Sequence, residues 1–215
     1  FMGATRFNTY VGIAAASALY GDEGLVLAAL TIAVLVPLVN FLSVLVLIKY
    51  ASATDEHNFW RAIIWPLVTN PLIVASGIGI FLNAMSWQLP VGIDATISAL
   101  GLAALPLGLL AVGAGLKTEI IGAAKIPLAW ASAFKLVAMP AAMLVTCRFL
   151  GLTGLPAHIA ILFAALPSAS TAYIIARQMG GNAPLMAAII TITTLIAAIT
   201  MPLIMAYVKM SAALA

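Results

Sequence analysis

In a chain of 215 residues, 65% of the side chains are hydrophobic and 7% charged, with a mean hydropathy of +1.20. Soluble domains run at about 45–50% apolar and about 25% charged, so a soluble globular domain is excluded. The net charge of +3 comes from scattered basic residues, which leaves no clustered patch for nucleic acid. The single cysteine, Cys147, rules out an intrachain disulfide and a cysteine metal cluster. Apolar runs of roughly 20 residues recur along the chain, which makes it an all-α integral membrane protein of several spans.

Seven membrane segments are predicted in chain order. The first, residues 9–20, is too short to span alone and reads as the second half of a segment that begins at or before Phe1. Full segments follow at 24–49, 66–87, 94–116, 126–150, 156–180 and 184–208. The connections are short, and only the stretch after Tyr50 has the polarity of an exposed linker. The start at Phe1, without the basic and apolar regions of a signal peptide, predicts further residues upstream. Alternating the segments places Arg6, Lys49, Arg61, Lys117, Lys125 and Arg177 on one face and Arg148 and Lys209 on the other. The positive-inside rule makes the first face cytoplasmic and the C-terminus extracytoplasmic.

The 156–180 run is interrupted at Leu166-Pro167-Ser168-Ala169-Ser170-Thr171. Proline removes a backbone donor and clashes with the carbonyl four residues back. Backbone groups freed in lipid must be satisfied by protein, water or ligand, so this break is a candidate binding site. Sliding the sequence by 160 positions aligns Ala16 with Ala176, Gly21 with Gly181, Leu25 with Leu185, Ala28 with Ala188, Thr31 with Thr191 and Ile32 with Ile192. Each copy has a polar interruption (Phe7-Asn8-Thr9 or Pro167-Ser168), a half-segment, a tight glycine loop and a full span. An odd number of segments between the copies inverts one against the other, the arrangement of many secondary transporters with a site at the midplane.

With Arg6-Phe7-Asn8-Thr9-Tyr10-Val11-Gly12, Asn70-Pro71, Leu105-Pro106-Leu107, Gly113-Ala114-Gly115, Phe134-Lys135-Leu136 with Pro140, and Leu166 to Tyr173 in order, the chain resembles the auxin efflux carrier family, in the larger group that holds bile acid symporters. It is most similar to the bacterial malonate/malate-type permeases. The resemblance implies ten segments in two inverted repeats of five with two broken crossing helices, of which this chain carries the fourth to the tenth. Residues 1–50 would end the first repeat, 51–65 form a cytoplasmic linker, and 66–215 make the second repeat. Phe7 stands where the family often has proline.

Substrate contacts are expected from Asn8, Thr9, Pro167, Ser168, Ser170, Thr171 and Lys135. The half-helix from Thr171 would aim free N–H groups and its positive dipole end at an anion. Lys135 lies too deep to reach the interface easily, and ionisable residues at such depth default to a functional role; pairing with a helix C-terminus is the other reading. For Asn8 the alternative is satisfying backbone groups between helices, and for the hydroxyls it is bonding to the preceding turn. Solvated positions are expected for Asp94 and Arg148, and simple bends for Pro37, Pro106, Pro140 and Pro202. His57 and His158 have no metal-ligand spacing.

The function expected is secondary transport of a small organic anion, a mono- or dicarboxylate or an auxin-like acid, across the cell (inner or plasma) membrane. No cofactor or metal is expected, coupling would be to a proton or sodium gradient, and a homodimer is compatible with the reading. A non-transporting sensor or structural protein is one alternative. An intramembrane hydrolase using Ser168 or Ser170 with His158 is another, opposed by a separation of roughly 15 Å along a helix and by the missing Gly-x-Ser-x-Gly elbow.

Overall fold

The computed structural model describes residues 2–51, 71–115, 122, 124–178 and 180–213. Of the linker expected at 51–65, residues 52–65, with Arg61, lie outside the described residues, as do Asn70 and Lys117, while Ala51 ends α2. Among those described there are helices and no strand: α1 (Met2–Thr5), α2 (Thr9–Ala51), α3 (Pro71–Ala84), α4 (Val91–Gly115), α5 (Lys125–Ala133), a π-turn (Phe134–Ala138), α6 (Met139–Phe149), α7 (Gly154–Ala165), α8 (Thr171–Gln178) and α9 (Ala183–Ala213). The predicted segments fall on these helices to within a few residues. The stretches Met2–Ser43, Lys125–Phe149 and Ala183–Met210 are long and apolar enough to cross a membrane.

Within α2 two helices meet at Gly21, which has the non-helical angles φ 61 and ψ −146. A straight helix would put Arg6 and Asn40 about 50 Å apart, yet both line one small void. Ala16 and Ala28 likewise share one core cluster. The chain therefore turns back at Gly21, giving an arm of residues 9–20 and an antiparallel arm of 22–51. This backbone conformation is open to glycine and strained for other residues. Gly21→Ala should lower stability by on the order of 1–3 kcal/mol, through the backbone alone, since nothing lies within 4 Å of the added Cβ. Gly77→Ala, in mid-helix and equally open, should raise stability by roughly 0.5–1 kcal/mol. Thermal unfolding in detergent separates the two signs.

At the centre stands α7, which packs against α2, α6 and α9. Apart from His158 near its start it is apolar on every face, and Ala157, Ile159 and the run from Ile161 to Ala165 are buried, the pattern of a helix enclosed within the protein. Opposite in character are Leu30, Val34, Leu102, Leu110, Trp130 and Ile199, all exposed, as side chains facing lipid should be. Asp94, in the first turn of α4, and Arg148, in the last turn of α6, are both exposed. At one end of the bundle the Lys209 ammonium lies 5.0 Å from the Tyr20 ring centroid, in keeping with the shared side predicted for these two segment ends.

Positions 160 apart have matching surroundings. Ala16 and Ala176, and Ala28 and Ala188, are buried pairs. Thr31 Oγ1 donates to the Leu27 carbonyl at 2.8 Å, and Thr191 Oγ1 to that of Ala187 at 3.0 Å. Gly21 has positive φ, and on the other side it is Gly180, one residue before the counterpart Gly181, that has it.

The four prolines behave differently. Pro37, Pro106 and Pro202 sit inside helices that continue past them. Pro140 follows a π-turn in which the Met139 N–H reaches the Phe134 carbonyl. Proline cannot donate to the carbonyl four residues back and crowds it, so one wider turn accommodates the clash.

Candidate functional site at the meeting of two helix breaks

Two interruptions meet beside α7. The first, residues 6–8, separates α1 from α2; the second, residues 166–170, separates α7 from α8. The second follows from Pro167, because the residue before a proline is pushed out of the helical region, and Leu166 has φ −64 and ψ 147. The first has no proline, and its cause is tertiary. The Asn8 N–H donates to the Pro167 carbonyl at 2.9 Å, so it is drawn out of the helical ladder by the other break. Asn8 Oδ1 then accepts from the N–H groups of Tyr10 and Val11 at 3.1 and 3.3 Å, capping the new helix. Phe7 packs edge-on against Phe163 of α7, with ring centroids 5.6 Å apart.

The arms approach closely where Gly12 faces the second break. A Cβ there would stand 2.8 Å from Leu166 Cδ1 and 3.2 Å from Phe163 Cζ. Only a residue without a side chain lets the half-helix of α2 lie so near Leu166.

Each expected contact residue has a definite place. Pro167 is fully buried and supplies the carbonyl that Asn8 uses. Ser168 is also fully buried; its hydroxyl donates to the Gly3 carbonyl at the end of α1, and its N–H donates to Thr193 Oγ1 at 3.3 Å. The four terminal carbonyls of a helix have no partner within it, so Ser168 satisfies one for α1 and ties the two breaks together. The sequence alternative of bonding to its own preceding turn is replaced by this long-range bond. Thr171 Oγ1, at the first position of α8, accepts from Arg6 Nη2 at 2.9 Å. Among the described residues, the hydroxyls of Thr9 and Ser170 make no hydrogen bond.

Lys135 falls in the π-turn, is 1% exposed, and belongs to a segment that packs on α1, α7 and α9. It stands 16 residues before Gly151 and Pro167 stands 16 after it; since α6 and α7 pair around that turn, the Lys135 backbone lies near the level of the second break. The breaks thus bring together Asn8, Pro167, Ser168 and Thr171, with Lys135 on the adjoining helix.

Two expectations need correction. The N–H groups opening α8 are not all free, because those of Ala172 and Tyr173 bond to the carbonyls of Ala169 and Ser170 at 3.0 and 3.1 Å. Arg6, counted by sequence among the charges facing the cytoplasm, is buried inside the first break, 6% exposed, with Nε and Nη1 lacking any partner. Its neighbour Asn40, in the second arm, is also buried with Oδ1 unpartnered. The two line a void of about 20 Å³ with Phe7, Val36 and Val39, room for about one water. An arginine beside Asn8 in an apolar stretch was the signal for Arg6; Asn40, Gly3 and Thr193 gave none.

An all-helical membrane protein in which two interrupted helices meet at their breaks has the architecture of a transporter. The chain belongs to the membrane transport protein family, whose sequence profile matches residues 8–205. It is similar to auxin efflux carrier component 1 of Arabidopsis thaliana, with 32% identity over 125 residues that make up 55% of this chain and 20% of that protein. The chain therefore spans about a fifth of the length of that relative. This agrees with the resemblance carried by the Asn8 and Pro167 motifs.

Proposed function

We propose that the full protein is a secondary transporter of small organic anions, mono- or dicarboxylates such as malonate or malate or an auxin-like acid, working by alternating access. The observation that carries the reading is the bond from Asn8 N–H to the Pro167 carbonyl, which joins the breaks where the half-helices α2 and α8 begin. Positive dipole ends of two helices directed at one point favour an anion. The name of the Arabidopsis relative supports the substrate class. Asn8, Thr9, Pro167, Ser168, Ser170, Thr171 and Lys135 form the proposed site, with Asn8 and Ser168 acting largely through the backbone they hold.

The matching surroundings of positions 160 apart support the two inverted repeats, residues 1–50 closing one and 66–215 forming the other. We place the protein in the cell membrane, with the C-terminus extracytoplasmic, energised by a proton or sodium gradient. The hydrolase alternative gains nothing from the geometry, since the Ser168 hydroxyl is engaged by Gly3 and His158 stacks near Tyr20 at 5.6 Å.

The test is uptake by full-length protein in liposomes, with radiolabelled malonate, malate, succinate and indole-3-acetate under imposed proton and sodium gradients. Saturable uptake of at least one acid above empty liposomes is expected. If none is carried or competes under any gradient, the transporter reading fails.

A further inference from the structure

We propose that Arg6 is the charge receptor where the two breaks meet: its guanidinium, held by Thr171 at the N-terminus of α8, binds the carboxylate of the transported acid. This deepens the transporter reading and rests on it. Few polar atoms at the junction of the breaks remain available to a ligand. Asn8 Oδ1 is spent on Tyr10 and Val11, both polar groups of Ser168 on Gly3 and Thr193, and two N–H groups of α8 on nearby carbonyls. None of these can receive a carboxylate without dismantling the junction of the two breaks.

Arg6 is different. Nη2 is held by Thr171 Oγ1 at the first position of α8, which fixes the planar group against that helix end, while Nε and Nη1 are buried without partners. The acidic residues among those described, Asp22, Glu23 and Asp94, are all exposed, so none of them neutralises it. A buried cation lacking a counter-charge is expensive in any protein interior, and one inside a membrane bundle marks a substrate pathway or partner. Guanidinium donors match carboxylate oxygens in geometry and charge. The void beside Arg6 and Asn40, about 20 Å³, is too small for an organic acid. The described conformation is accordingly closed over the guanidinium, and the carboxylate reaches it when the two arms of α2 separate.

The experiment compares wild type, Arg6→Gln, Arg6→Lys and Arg177→Gln as full-length protein in liposomes, with the four labelled acids named above. Arg177 lies exposed at the end of α8 and controls for a general loss of positive charge. Arg6→Gln should raise KM at least tenfold for the acid that wild type carries, Arg6→Lys should fall between, and Arg177→Gln should match wild type. A wild-type KM retained in Arg6→Gln overturns the role of Arg6 and leaves the transporter reading standing. Failure of wild type to carry any acid overturns both. Should Arg6→Gln not fold, phenylglyoxal labelling of wild type, read at the Arg6 peptide by mass spectrometry, decides. Protection by the carried acid supports the assignment; labelling unaffected by the acid, or no labelling during turnover, overturns it.

Discussion

Lys135→Met is expected to make the protein more resistant to heat and to abolish uptake. Lys135 is 1% exposed, and no hydrogen bond or ion pair is made to it by the described residues. Removing an ammonium from water costs several kcal/mol, and none of the described residues offsets this with a hydrogen bond or a counter-charge. Methionine has a similar length and a flexible unbranched chain that fills irregular space. The replacement should therefore gain on the order of 1–4 kcal/mol, as when buried charges give way to apolar residues of similar volume. Loss of transport follows if the ammonium serves the anion at the level of the breaks. Stability is read from the temperature dependence of the monodisperse peak in gel filtration, and function from uptake in liposomes. A stable variant that still transports removes Lys135 from the site. A destabilised one shows that it pairs with the carbonyl ends of α1 or α7, the alternative raised by the sequence.

Pro167→Ala should insert and purify normally while losing at least roughly tenfold in uptake, equivalent to about 1.4 kcal/mol in the transport barrier. Alanine restores the missing N–H and has the highest helix propensity. It also releases Leu166 from its extended conformation. Helix α7 can then add a turn through Ser168, drawing the carbonyl away from Asn8 and the hydroxyl away from Gly3. Two of the three hydrogen bonds that tie the breaks together depend on those groups, the third being Arg6 to Thr171. Uptake at the wild-type rate, with unchanged helix content by circular dichroism, would exclude a mechanism built on the second break.

Much of the fold could be read from sequence because lipid simplifies the rules. A segment that must satisfy its own backbone in hydrocarbon is helical, and run length then gives the spans, as it did for the α5–α6 stretch and α9. The break at Pro167 was equally legible, since proline acts on its own helix regardless of surroundings. Gly21 marked a tight turn for a similar local reason.

Tertiary structure decided what the polar groups do. Asn8 and Ser168 have the chemistry of substrate ligands, and sequence cannot tell which partners their atoms meet. Once the breaks meet, Asn8 caps a helix and Ser168 joins α1 to the second break, 165 residues apart in the chain. Arg6 shows the same limit from the other side. Charge counting assigns an arginine near a segment end to the membrane face, because the positive-inside rule considers each loop alone. Its burial becomes visible only when the second arm of α2 folds back and places Asn40 beside it. The sequence determined the helices and the place of the proline break, which are local consequences of backbone chemistry in lipid. The structure decided which polar atoms are left over for a ligand, because that depends on every neighbour the fold supplies.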